Sequence, residues 1–314
     1  MGRGSGFGKT ILFGEHFVVH GIPGIVSAID SVTDAEAKKT IKGINITDER
    51  TGAKGYVEKK KLQQLESIER MLKTMNMNAK KVALDIWLGG NLPGFSGLGA
   101  SAASSVAIAR AIADEFNFDF SDEKINNFAY EAEKAYAGNP SGIDNTAATF
   151  GGLIWFKKNL NTDLNTIEQL KIRQPVEIVI GNTGIVANTK AMVAGVAERK
   201  KQNPKKYDAI FKRAEDLAYK GRKSLEDFDL KQVGRLMNEN HYLLKDINVS
   251  SKELDFLVDL ARSEGAFGAK MTGGGGGGCM LALTPGKDLQ EKVASAIENE
   301  GFEVLRTRIG VNKA

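Results

Sequence analysis

The chain predicts a mixed α+β or α/β fold in two domains, on three observations. Seven short apolar runs of strand character (TILFGE, GIVSAI, VALDIWL, GLIWF, VEIVIG, GCMLAL and FEVLRTRI) are interspersed with segments of helical periodicity. The helical segments thicken in the second half. A polar stretch over residues 158–174, KNLNTDLNTIEQLKIRQ, separates two of the strand-like runs, which places a domain boundary near residue 170. The expected division is therefore residues 1–170 and 171–314, in line with a 314-residue length that suits one large or two medium domains.

Element by element, TILFGE opens the chain as a strand and GIVSAI follows as a second. The spacing then predicts helices over about residues 60–76, 100–116, 121–137, 188–200, 204–224, 229–244, 251–264 and 287–300, with the remaining strand-like runs between them. Lys59, Lys60 and Lys61 are the densest basic cluster and stand at the start of KKLQQLESIERMLKTM, where they read as a solvated helix face.

The composition excludes several classes. Hydrophobic content of 42% and charged content of 26% lie in the soluble globular range, and no apolar run approaches the roughly 20 residues of a membrane helix. A net charge of +4 with no basic stripe argues against nucleic acid as a partner. The single Cys279, read as buried, and an N-terminus without a signal-peptide pattern predict a reducing, cytoplasmic location.

Chemistry concentrates in a few segments. In PGFSGLGASAASS, residues 93–105, glycines and small residues run into the amphipathic VAIARAIADEF. Gly94, Gly97 and Gly99 let the backbone approach an anion while the N-terminal N–H groups of the next helix point at it, so the segment reads as a cradle for a nucleotide triphosphate. GRGSGFGKT is not a P-loop: that motif needs four residues before its Gly-Lys pair, whereas Gly2 leaves five and Gly4 three. Lys9 instead enters a strand that ends in Glu15 and His16, a placement suited to phosphate or to a carboxylate partner.

EAEKAYAGNPSGIDN, residues 131–145, ends a helix near Gly138, with Ser141 as a cap for a new element that carries Asp144 in its first turn. Glu131 and Glu133, two apart on a helix, cannot both serve one site. In KMTGGGGGGCM six glycines lie between two strand-like runs, an entropic cost that predicts a backbone passing close to something large, such as a phosphate or a substrate.

In this order the segments resemble the signature motifs of the GHMP kinases, the superfamily that phosphorylates galactose, homoserine, mevalonate and phosphomevalonate. The likeness spans the whole chain. KTILFGEHFVVHG (9–21), GNPSGIDN (138–145), NTKAMVAGV (188–196) and TGGGGGGC (272–279) look most like the mevalonate-phosphorylating members. The resemblance implies a two-domain α+β fold, with an N-terminal domain of the ribosomal S5 domain 2 type, a ferredoxin-like C-terminal domain, and the active site in the cleft between them. It implies transfer of the ATP γ-phosphoryl group to the primary hydroxyl of mevalonate, with Mg²⁺, in isoprenoid biosynthesis.

Residue roles follow from the same resemblance. Asp144 matches the carboxylate that orients or deprotonates the substrate hydroxyl, and Lys9 the lysine that pairs with it. Ser101 and Glu133 match the magnesium ligands, hard oxygens suited to that ion. His16 and Thr189 match substrate contacts, with Glu15 and His20 as further candidates. Pro93, Gly94, Ser96, Gly97, Leu98, Gly99, Ala100, Ser101, Ala102, Gly274 and Gly275 match the nucleotide loops.

Six positions depart from the family pattern: Gly6 and Phe7 stand for Ala-Pro, Phe95 for a glycine, Ala100 for a serine, Ala137 for a histidine, and Gly274 for an alanine. Loss of the proline, and of the serine hydroxyl that Ala100 replaces, predicts weaker ATP binding, to be read from the ATP KM. The sequence leaves oligomeric state open, a homodimer included, along with feedback inhibition by prenyl diphosphates.

Overall fold

A computed structural model describes residues 1–50, 56–94, 97–138, 140–162, 165–186 and 188–312, apart from the side chains of residues 56–61 and 137. Lys59, Lys60 and Lys61 therefore lie outside the described side chains, and Phe95 and Ser96 outside the described residues. The described residues form two compact units, each assembled from two separated stretches.

The first unit comprises residues 1–9 and 28–151. Strand β1 (Gly2–Phe13) begins in it, and β2 (Gly24–Lys39) ends in it. Between Lys39 and the end of the unit come β3 (Ile44–Asp48), α1 (Tyr56–Thr74), β4 (Leu84–Gly90), α2 (Ala100–Glu115), α3 (Asp122–Ala137) and α4 (Ile143–Phe150). β2 and β4 are antiparallel, with Thr33 opposite Gly90 and Lys39 opposite Leu84, while β3 lies parallel to β4. Ile68, Met71 and Leu72 of α1, Val106 and Ile112 of α2, and Ile125 and Phe128 of α3 close over Ala35, Ile86 and Leu88 of the sheet.

The opening GRGSGFGK is part of strand β1, and its alternation has a packing cause. A Cβ on Gly2, Gly4 or Gly6 would stand 2.2, 2.4 and 2.2 Å from the carbonyl oxygens of Ala111, Ala107 and Ala103. Glycines at strand period 2 thus meet alanines at helix period 4, and β1 lies directly on the backbone of α2. The departure at Gly6 is accounted for by this contact, since the alanine of the family pattern would collide with α2.

The second unit comprises residues 10–27 and 152–312. It holds the end of β1, the start of β2, β5 (Leu153–Lys157), β6 (Thr166–Leu170), β7 (Val176–Asn182), α5 (Thr189–Gln202), α6 (Pro204–Glu226), α7 (Leu230–Asp246), α8 (Lys252–Ser263), β8 (Gly268–Thr272), β9 (Cys279–Leu283), α9 (Lys287–Asn299) and β10 (Glu303–Ile309). Strands run in the order β10-β7-β9-β8, all antiparallel. Read as first to fourth strands, β7, β8, β9 and β10 give the order 4-1-3-2 of a ferredoxin-like sheet. The mixed α+β class is as expected.

The division differs from the expected boundary near residue 170. β5 pairs with Gly24–Ser27 and β6 pairs with β5, so residues 153–170 belong to the second unit and the chain changes unit at Gly151. The polar stretch that suggested a linker is the connection of that hairpin followed by its edge strand, whose residues Thr166–Gln169 are exposed. Among the described residues no helix is long and apolar enough to cross a membrane. Cys279 is fully buried, and burial pushes its thiol up to about 12.

Candidate active site

In the first unit, chemistry gathers at the N-terminus of α2. Gly99 caps the helix at φ +71°, and its carbonyl accepts from Ala103 N at 2.9 Å. Among the described residues no side chain caps this end and its first turn carries no acidic residue, so the orphan N–H groups and the positive dipole end are suited to an anion. Pro93, Gly94, Gly97, Leu98, Ala100 and Ala102 belong to this approach and first turn; Ser96 lies outside the described residues.

Lys9 runs alongside that cap. Its backbone N–H donates to Leu98 O at 2.9 Å, its side chain is 5% exposed, and Nζ stands 3.0 Å from Asp144 Oδ1. A Cβ at residue 99 would stand 2.7 Å from Lys9 Cγ, so glycine serves both the left-handed cap and the passage of the lysine. Phe7 sits within β1.

Asp144 lies in the first turn of α4, whose cap is Gly142 at φ +85° rather than Ser141. Ser141 Oγ accepts from Ile143 N at 3.4 Å, too long to hold the turn alone. Asn145 Nδ2 donates to Asn126 Oδ1 at 2.6 Å, and Arg110 reaches the carbonyl of Thr149 at 2.8 Å, fixing both ends of this short helix.

The two glutamates of α3 separate as helix geometry requires. Glu131 pairs with Lys134 at 2.5 Å on a partly exposed face. Glu133 is 5% exposed and accepts from Ser101 Oγ at 3.1 Å and from Ser105 Oγ at 3.4 Å. Among the described residues no group of three His, Cys, Asp or Glu side chains could hold a metal alone. One carboxylate and a hydroxyl at a helix N-terminus suit an ion that takes its other ligands from phosphate and water.

A residue missed in the sequence supports this end. Arg50 is buried, grips Asp48 through Nε (2.9 Å) and Nη2 (2.6 Å), and donates through Nη1 to Ser104 Oγ (2.6 Å) and Ala100 O (3.3 Å). Its guanidinium braces the first turn of α2, and no local pattern around Asp48–Arg50 announces that long-range contact.

The second unit gathers His16, Thr189 and the glycine loop. His16 has φ +61°, is 6% exposed, and its Nε2 lies 2.9 Å from Gly274 O. A carbonyl only accepts, so Nε2 carries the proton and Nδ1 is left as an acceptor; it has no partner among the described residues. Burial lowers the His16 pKa and keeps the ring neutral. Thr189, exposed as the first residue of α5, reaches the same peptide: a Cβ on Gly274 would stand 2.3 Å from its Oγ1. Gly274 thus joins His16 and Thr189.

The glycines of this loop pass close to backbone elsewhere in the second unit. A Cβ on Gly275 would be 2.0 Å from Val249 O, and one on Gly277 2.7 Å from Ile185 O. Gly276 N donates to Val249 O and Gly278 N to Ile185 O, both at 2.8 Å. The loop is a hairpin tip bound to neighbouring backbone. Glu15, taken as a substrate contact, has a fully buried side chain committed to Lys270 and to Asn240 at 3.3 Å. His20 is half-buried, its ring centroid 4.9 Å from that of Phe211, and its Nε2 has no partner among the described residues.

Family models describe the two halves directly: the GHMP kinases N terminal domain matches residues 65–152 and the GHMP kinases C terminal matches residues 222–303. The chain belongs to the GHMP kinases, a family of phosphotransferases. Within it, the chain is 35% identical to a mevalonate kinase of Pyrococcus horikoshii, over 96% of this chain and 93% of that protein. It is 28% identical to a mevalonate kinase of Arabidopsis thaliana, over 98% and 97%. The crystal structure of L. major mevalonate kinase in complex with R-mevalonate superposes with a TM-score of 0.93 at 34% identity, covering 100% of this chain and 97% of that one.

Proposed function

We propose that the chain transfers the γ-phosphoryl group of ATP to the primary hydroxyl of mevalonate, giving 5-phosphomevalonate and ADP, in the cytoplasm and in service of isoprenoid biosynthesis. The observation that carries this reading is the 3.0 Å pair of Lys9 and Asp144 beside a helix N-terminus that no described side chain caps. The similarity to mevalonate kinases along nearly the whole chain supports the choice of alcohol.

The reaction divides among named groups. The N-terminus of α2 receives the phosphates of ATP through its orphan N–H groups. Asp144 accepts a hydrogen bond from the substrate hydroxyl, aligns its oxygen with the γ-phosphorus, and takes its proton as the new O–P bond forms and the bond to the ADP oxygen breaks. Lys9 holds Asp144 in place and answers negative charge on the phosphoryl group. Ser101 and Glu133 would hold Mg²⁺, which neutralises phosphate charge when bound.

His16 Nδ1, a buried acceptor, receives a hydrogen bond from a mevalonate hydroxyl, and the exposed Thr189 hydroxyl offers a second contact. Glu15 is too enclosed for that role. An ADP-release assay with mevalonate, phosphomevalonate, homoserine and galactose tests the reading. Turnover of mevalonate alone, lowered about 10²–10⁴-fold in Asp144→Asn, is expected; no turnover of any alcohol refutes it.

A further inference from the structure

Glu15 and Lys270 take no part in the reaction described above, yet their side chains are both 0% exposed. Lys270 Nζ uses all three donors, on Glu15, Met271 O (2.7 Å) and Ile11 O (3.3 Å), while the other carboxylate oxygen of Glu15 accepts from Asn240 Nδ2 at 3.3 Å. Burial works against both charges, raising Glu15 and lowering Lys270. Replacing such a pair by apolar groups of similar volume is often neutral or stabilising, so stability alone does not explain it.

Its place in the chain does. Glu15 immediately precedes His16, a residue held at φ +61°, where non-glycine residues are strained. Lys270 lies in β8, four residues before Gly274, whose carbonyl takes His16 Nε2. The ion pair and the histidine bond therefore tie the same two segments at successive points. Thr272 Oγ1 adds a third tie, accepting from Ile11 N at 3.0 Å.

We propose that Glu15 and Lys270 are positioning residues for the alcohol substrate: together they hold the His16 turn against the glycine loop and keep Nδ1 presented as the acceptor. The proposal rests on the reading of His16 as a mevalonate contact.

The test is the double variant Glu15→Gln/Lys270→Met, which removes both charges and nearly conserves volume. Expected are a Tm at or above the original, an unchanged ATP KM, kcat within a few-fold, and a mevalonate KM raised about tenfold or more. Nitrogen-15 NMR of His16 should change from a pure Nε2–H tautomer to a mixture. Glu15→Asp, which keeps the charge but shortens its reach, should show the same KM shift in smaller degree if the double variant does not fold. An unchanged mevalonate KM together with an unchanged His16 spectrum, in whichever variant folds, overturns the proposal. Should the original chain not turn over mevalonate, the functional reading fails separately, and the tautomer measurement, which needs no substrate, still decides this one.

Discussion

Replacing Gly274 by alanine puts a methyl group where Thr189 already stands. The new carbon would lie 2.3 Å from Thr189 Oγ1, 2.8 Å from its Cγ2 and 2.9 Å from its Cβ, against 3.4–4 Å for ordinary contact. Gly274 is absent from the positive-φ glycines, so alanine meets no backbone strain and the whole effect is steric. Overpacking of this kind costs about 1–3 kcal/mol, and the cheapest relief is rotation or retreat of the Thr189 side chain. If its hydroxyl then loses one substrate hydrogen bond, worth about 1 kcal/mol, the mevalonate KM rises roughly five- to tenfold. The ATP KM should stay unchanged. Thr189→Ala in the Gly274→Ala background removes both overlapping atoms beyond Cβ and should recover most of the lost Tm without recovering KM. Steady-state kinetics and thermal unfolding of the two single variants and the double complete the cycle. Additive Tm changes, or an unaltered mevalonate KM in Gly274→Ala, would refute the argument that this glycine sets the position of Thr189.

Other consequences follow from groups outside that loop. Burial, with Arg262 and Lys270 nearby, lowers the His241 pKa from 6.5 to about 4 against the opposing pull of Asp255, with Lys245 adding to the depression. The unfolded chain then binds the proton first, so this contribution is complete above pH 6.5 and is lost as pH falls toward 4, by about 3 kcal/mol at most. His241→Gln should flatten the stability–pH curve across that window in denaturant titrations; an unchanged slope would contradict it. Arg50→Met leaves Asp48, with its side chain 1% exposed, uncompensated, and should cost about 3–5 kcal/mol by urea unfolding. Asp48→Asn/Arg50→Met should recover most of it. Ser101→Ala and Glu133→Gln should each raise the Mg²⁺ concentration needed for half-maximal turnover while leaving the mevalonate KM near its original value.

What was legible in the sequence was whatever a local pattern encodes. The eight expected helices correspond to α1–α3 and α5–α9, because apolar periodicity and breakers act within a few residues. Asp144 was placed in a first turn correctly, while its cap was misassigned, since Ser141 and Gly142 are both acceptable caps and only the left-handed backbone decides between them. GRGSGFGK carries no strand signal of its own, because glycine normally weakens a strand; the alanines that make it a strand lie about a hundred residues away in α2. The same holds for the six-glycine loop. Its composition announced a close approach, and only the fold could say that Val249, Ile185 and Thr189 are among the groups approached.

The enclosure of Glu15 marks the same limit at the candidate site. A carboxylate beside a histidine reads as a ligand-binding pair in one dimension, and Lys270 cannot be matched to it without the pairing of distant segments. Local pattern therefore located the candidate residues of each unit, while partner choice decided which of two adjacent polar residues is fully enclosed and which keeps an open acceptor. For Glu15 and His16 that division is physical: one has its oxygens occupied in full burial, the other keeps one ring nitrogen without a partner among the described residues. A buried acceptor left unpaired costs about 1–3 kcal/mol, a cost that a substrate hydroxyl donating to Nδ1 would return as binding selectivity for an alcohol over its deoxy analogue.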